Sequence, residues 1–153
     1  MADALSIQIA EAIKEEINGH SWLTAPEVFT AQRVYRAVFK GDELNTLKMT
    51  VVALSQADIR ATRKTLQGDF GFAVVTEKRL ANADDVTEMD GWVNFLGEIK
   101  DHFDDNHKLA SPLADWRYQS AAYFPGDEIY DRAILYDQRE LYSELRLIVR
   151  GQR

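Results

Sequence analysis

The histidines and acids of "DHFDDNH", Asp101 to His107, are the residues whose types and spacing could do chemistry. His102 and Asp105 stand three apart, and a helix would carry Glu98 to the same side as His102. Imidazole nitrogens and carboxylate oxygens bind zinc when three or four of them converge. Here the helix is expected to end inside the motif, and no further ligand is apparent elsewhere in the chain. The segment therefore reads as a solvated acidic helix end, as charge runs usually are. "NADDVTEMDGW" has the flavour of a calcium loop but fails on register. With Gly91 in the sixth position, Val86 falls first and Gly97 twelfth, where Asp and Glu are required. It reads instead as a capped helix start. "GDFGF" lacks the Lys-Ser/Thr ending and the following helix of a phosphate cradle. Ser55, Ser111, Ser120 and Ser143 have no nucleophile-elbow context. With 25 acidic residues, close carboxylate pairs arise by chance, so none is singled out as an acid–base pair. Trp22, Trp92 and Trp116, with six tyrosines, could line a ligand pocket, but their places on expected helices and strands read as packing. No catalytic, cofactor or metal site is assigned. An enzyme whose acid and base meet only in the fold stays open as an alternative.

The totals narrow the classes. A chain of 153 residues can bury one sizeable core, so residues 1–153 read as a single domain. Apolar residues at 46% and charged residues at 28% are globular composition. The net charge of −7, from 18 basic and 25 acidic residues, disfavours a phosphate-gripping surface. The absence of cysteine excludes disulfides, thiolate metal sites and thiol nucleophiles. "MADALSIQIAEAIKEE" has neither the basic start nor the apolar run of a signal peptide, and no stretch approaches the roughly 18 apolar residues of a membrane span. The expectation is a soluble product of the cytosol, or something assembled there.

The elements follow from periodicity. Asp3 can cap and Gly19 end a first helix, whose Leu5, Ile9, Ile13 and Ile17 form one stripe, with Glu11, Lys14, Glu15 and Glu16 on the other side. Val28–Lys40 alternates with period two, as does Leu47–Leu54; joined by "GDELN", the two read as a long ribbon. "SQADIRATRKTLQG" reads as a polar connector of functional length. A third strand over about 69–79 places Phe70, Phe72 and Val74 opposite Ala73 and Val75, with Gly68 and Gly71 marking a bulge or close approach. Asp84 or Asp85 caps a second helix with a stripe of Val86, Met89, Val93, Leu96, Ile99 and Phe103. A strand near 116–124, a short helix and a closing strand over 140–150 complete the chain. The fold class is α+β: a mainly antiparallel sheet of four or five strands with two amphipathic helices on one face.

Two single-striped helices cannot cover both faces of such a sheet. The second face, holding Val34, Arg36, Val38, Val52 and Leu54, is therefore a candidate subunit interface. The basic residues of the connector, Arg60, Arg63 and Lys64, are a candidate contact with an acidic neighbour.

Several segments resemble the tail terminators of tailed phages and their prophage relatives. They are "ADALSIQIAEAI", "FTAQRVYRAVFKGDELNTLKMTVVAL", "GDFGFAVVTEKRL", "EMDGWVNFLGEIKDHF" and the closing "YDQRELYSELRLIVRG". The resemblance covers nearly the whole chain, and its motifs are patterns of fold, not of chemistry. Ala53 departs from the Pro that relatives often carry, and "SQADIRATRKTLQG" resembles no fixed motif. The resemblance implies a virion protein of the neck, assembled in the host cytoplasm, that needs neither cofactor nor catalytic residue. It implies a ring of typically six copies that caps the tail tube, meets the head connector or head-completion protein, and lets phage DNA through without sequence-specific binding. No membrane partner is implied. An adjacent head- or tail-completion protein is the alternative from the same setting; a metal or ligand held at "DHFDDNH" would favour a small α+β enzyme or binding domain instead.

Overall fold

A computed structural model describes residues 3–36, 39, 42–60 and 66–152, with side chains described except at 58–60, 66 and 152. Helix α1 (Leu5–Gly19) is followed by strand β1 (Ala31–Arg33), a 3-10 turn (Glu43–Asn45), strands β2 (Lys48–Arg60) and β3 (Leu66–Arg79), helix α2 (Val86–Phe103), strand β4 (Arg117–Phe124), helix α3 (Arg132–Gln138) and strand β5 (Glu140–Gln152). The five strands form one sheet in the order β1-β2-β3-β5-β4. Every pairing is antiparallel except β1 with β2. The α+β class, with both amphipathic helices on one face, is the architecture observed.

The local reasons are those of the pattern. Ile9, Ile13 and Ile17 of α1 are buried, and α1 lies over β1 and β2. Ala4, not Asp3, stands at its N-cap, and no side chain caps it. At α2, the Asp85 carboxylate accepts from the amides of Thr87 and Glu88, satisfying orphan donors of the first turn. Its buried stripe is Trp92, Phe95, Leu96, Ile99 and Phe103, rotated from the expected one, and Val86 is exposed. These side chains meet Met49, Val51, Phe70, Phe72, Val74, Leu145, Leu147 and Val149 in a single core, which also takes in Trp116. Alternation along β5 holds throughout: Leu141, Ser143, Leu145, Leu147 and Val149 point inward.

Two expectations are corrected. Among the described residues, the strand predicted over Val28–Lys40 is only Ala31–Arg33, and it runs parallel to β2 and not as half of a hairpin ribbon. Past Arg33, Val34 keeps one backbone hydrogen bond to β2, while Tyr35 and Arg36 are exposed. The real ribbon is β2–β3. Most of the expected connector is strand, with Ser55–Arg60 paired to Leu66–Gly71. Its residues alternate poorly because β2 is exposed from Ala53 through Ala57, so no face there needs to be apolar. The glycine signal was sound. A register shift between Ala53 and Ser55 lies opposite Gly71, and a Cβ at Gly71 would overlap Ser55 Oγ.

Candidate functional site

Two features stand out: the sheet face away from the helices, and a cluster of histidines around Glu16.

On the outer face, Val52, Ala73 and Val75 form a small second core, closed in part by Val34 and Tyr142. Val52 is therefore buried by its own chain, and less of this face is open than the sequence suggests. Val34 lies just beyond β1, and its amide donates to the Val51 carbonyl at 3.0 Å. Apolar residues left in the open on this face include Leu54, Phe124 and Ile148, exposed by 44%, 44% and 40%. Leu54 sits at the register shift opposite Gly71, and Gly71 is paired on its other side with Ile148. The two therefore flank the same glycine. Nearby, Arg146 stacks over Phe124 at 3.4 Å from the ring centroid and pairs with Glu144 at 2.9 Å. Val38, Arg63 and Lys64 lie outside the described residues, as does the side chain of Arg60. Arg60 itself is the last residue of β2, on a strand and not in a loop. β1 pairs β2 only through Met49–Val51.

Glu77 also belongs to the outer face, paired with Lys48 and Tyr142. It is 7% exposed, and its Oε1 has no hydrogen-bond partner among the described residues. Burial, then the nearby Glu140 charge, pushes its carboxyl up to about 7.

The second feature brings together all three histidines of the chain. His102 comes from the last turn of α2, His107 from the loop after it, and His20 from the residue ending α1. His107 Nε2 lies 2.6 Å from Glu16 Oε1, and His102 Nε2 lies 3.6 Å from the same oxygen. The Tyr118 hydroxyl of β4 donates to Glu16 Oε2. The His102 ring packs edge to face on Phe103, with centroids 5.0 Å apart, and the His107 ring lies tilted against Tyr118 at 4.7 Å. His102 also meets Trp22 and His20, 5.3 and 4.3 Å away. Burial alone would raise the Glu16 carboxyl, but His102, Tyr118 and His107 outweigh it and hold it below the ordinary range. Burial and the Glu16 charge push the Tyr118 hydroxyl up, so it remains a donor.

This corrects the picture of a solvated helix end. Asp101, Asp104 and Asp105 are solvated, but His102 and His107 are half-buried. Glu98 does not join His102. Its carboxylate accepts from the amides of Leu23 and Thr24 at 2.9 and 2.8 Å and pins that loop to α2. The missing partner is Glu16, assigned by sequence to the polar side of α1. It stands between Ile13 and Ile17, at the edge of the buried stripe, and that position is the signal that could have found it.

No protein-family model matches this chain, and no curated protein matches it.

Proposed function

We propose that the chain is a structural virion protein of the phage neck. In this reading, copies form a ring, of six by the resemblance, that caps the tail tube and meets the head connector, with DNA passing through the lumen. The observation that supports it best is the sheet face away from the helices, where Leu54, Phe124 and Ile148 lie open. An apolar face left open by the single chain suits a subunit that covers it against a neighbour. The net charge of −7 suits a conduit that must let DNA slide and not hold it. The localisation that goes with this reading is the assembled virion. Among the described residues, no helix is long and apolar enough to cross a membrane.

Native mass spectrometry with negative-stain imaging tests the reading, on the chain alone and mixed with polymerising tail-tube protein. Rings with a central hole, or tubes stopped at a capped end, support it. A chain that stays monomeric at every concentration and leaves tube growth unchanged overturns it. Rings that bind a head connector but never a tube would favour the adjacent completion protein.

A further inference from the structure

We propose that Glu16, His102 and His107 form a binding site for one divalent transition-metal ion, zinc being the best match, which clips α1 to the end of α2 and to the segment leading into β4. One ligand atom from each residue lies within 4.8 Å of the others. Both imidazoles address the same carboxylate oxygen, His107 Nε2 at 2.6 Å and His102 Nε2 at 3.6 Å. Among the described residues, His102 Nε2 and His107 Nδ1 are buried without a hydrogen-bond partner. Buried polar nitrogens rarely stay unpaired, and each such group needs an explanation. A hydrogen bond from His107 to Glu16 leaves His102 Nε2 unsatisfied. A cation shared by the three residues satisfies it.

The geometry fits an ion after small movements. Zinc–ligand distances near 2.0–2.2 Å set ligand separations of about 3.3 Å around a tetrahedron. The His102–Glu16 spacing of 3.6 Å is close to that, while the 2.6 Å contact of His107 must open by less than about 1 Å. Two imidazoles and one carboxylate select zinc and its first-row neighbours over calcium or magnesium, which prefer oxygen throughout. Tyr118 supplies an outer partner by holding the second oxygen of Glu16. A cavity of ≈ 530 Å³ between α1 and residues 110–113 is lined by Glu16 and Tyr118 but by neither histidine, and it is not assigned to the ion. His20 lies with its ring tilted 44° against that of His102, in stacking contact, and is assigned no ligand role. The ligands come from three separate segments, so the effect of the ion is to tie the helices to the sheet. This inference does not depend on the ring reading: the ion is assigned a structural role, tying helices to the sheet, and not the ligand-binding role that would favour a small enzyme or binding domain, and its test reads metal binding alone.

The test titrates the untagged, metal-free chain with zinc chloride, followed by calorimetry and thermal unfolding, with magnesium chloride as control. One zinc per chain, a rise in Tm that grows with zinc concentration, and no response to magnesium are expected. Cobalt should give visible ligand-field bands that zinc abolishes. His102→Ala and His107→Ala should each remove saturable binding, His20→Ala should keep it, and Tyr118→Phe should weaken it about 10–100-fold. Imidazole NMR signals of the unaltered chain give a readout that needs no variant: those of His102 and His107 should shift together on zinc addition. No saturable binding up to millimolar zinc, or binding that moves neither ring, overturns the proposal.

Discussion

The Tyr118 hydroxyl reaches across 102 residues of sequence to donate a hydrogen bond to Glu16, joining the inner face of β4 to the last turns of α1. The carboxylate it serves is largely withdrawn from water and negatively charged. Tyr118→Phe keeps the buried ring and removes only the donor. Hydrogen bonds to charged groups are each worth about 1.5–3 kcal/mol. Urea unfolding of the variant without added metal should show a loss in that range with an unchanged m-value. A loss below about 0.5 kcal/mol would mean that water replaces the hydroxyl at Glu16.

Glu77 gives the fold a pH dependence of defined sign. Its carboxyl is pushed up to about 7 in the folded chain from 4.5. Between those values the folded state holds a proton that the unfolded state has released. Stability therefore falls as pH rises from about 4.5 to about 7, then levels off. Glu77→Gln carries no such charge. Relative to the parent chain it should gain stability between pH 5 and pH 8, by about 2–3 kcal/mol. Paired denaturation curves at the two pH values check this; an equal effect at both would show that Glu77 finds a partner or water in the folded chain.

Two glycines separate backbone tolerance from packing. A Cβ at Gly151 would overlap the ring of Trp116, which is held edge-on against Phe70 with centroids 5.3 Å apart. Trp116 is buried and cannot yield cheaply, so Gly151→Ala should cost about 1–3 kcal/mol. A Cβ at Gly71 meets only the side chain of Ser55, an exposed residue whose hydroxyl can turn away. Gly71→Ala should cost less than about 1 kcal/mol. Thermal unfolding of both variants decides it, and the reverse order would show that the β2 register shift depends on that serine.

Where sequence succeeded and failed has a common cause. Stripes and alternation report burial, so Ile9, Ile13 and Ile17, the inward set of β5, and the split of Phe70, Phe72 and Val74 from Ala73 and Val75 were all legible. The Asp85 cap was legible because its chemistry is local. The outer half of β2 was not, because exposed backbone pairing imposes no pattern on Ser55–Arg60. Alternation in Val28–Lys40 suggested a long strand, but alternation cannot say whether a partner strand is present. The histidine cluster was hidden by distance: Glu16 and His107 are 91 residues apart, and only the sheet brings β4 and its preceding loop against α1. Helix spacing pointed His102 towards Glu98, whose carboxylate is instead taken up by Leu23 and Thr24.

The ring reading makes its sharpest demand on Leu54 and Ile148. Both are exposed, on either side of Gly71, and neither belongs to the main core or to the small second core. Ile148→Lys should therefore leave the stability of the single chain within about 0.5–1 kcal/mol of the parent, since Ile148 belongs to neither buried core. In a ring that uses this face, the lysine would be buried against a neighbour without a partner, a cost large enough to stop assembly. Leu54→Lys should behave alike, and a conservative Ile148→Val should assemble. The measurement is ring or capped-tube yield by negative stain, set beside the unfolding curve of each variant. Normal assembly by both lysine variants, with normal stability, would remove the outer face from the interface and count against the ring reading.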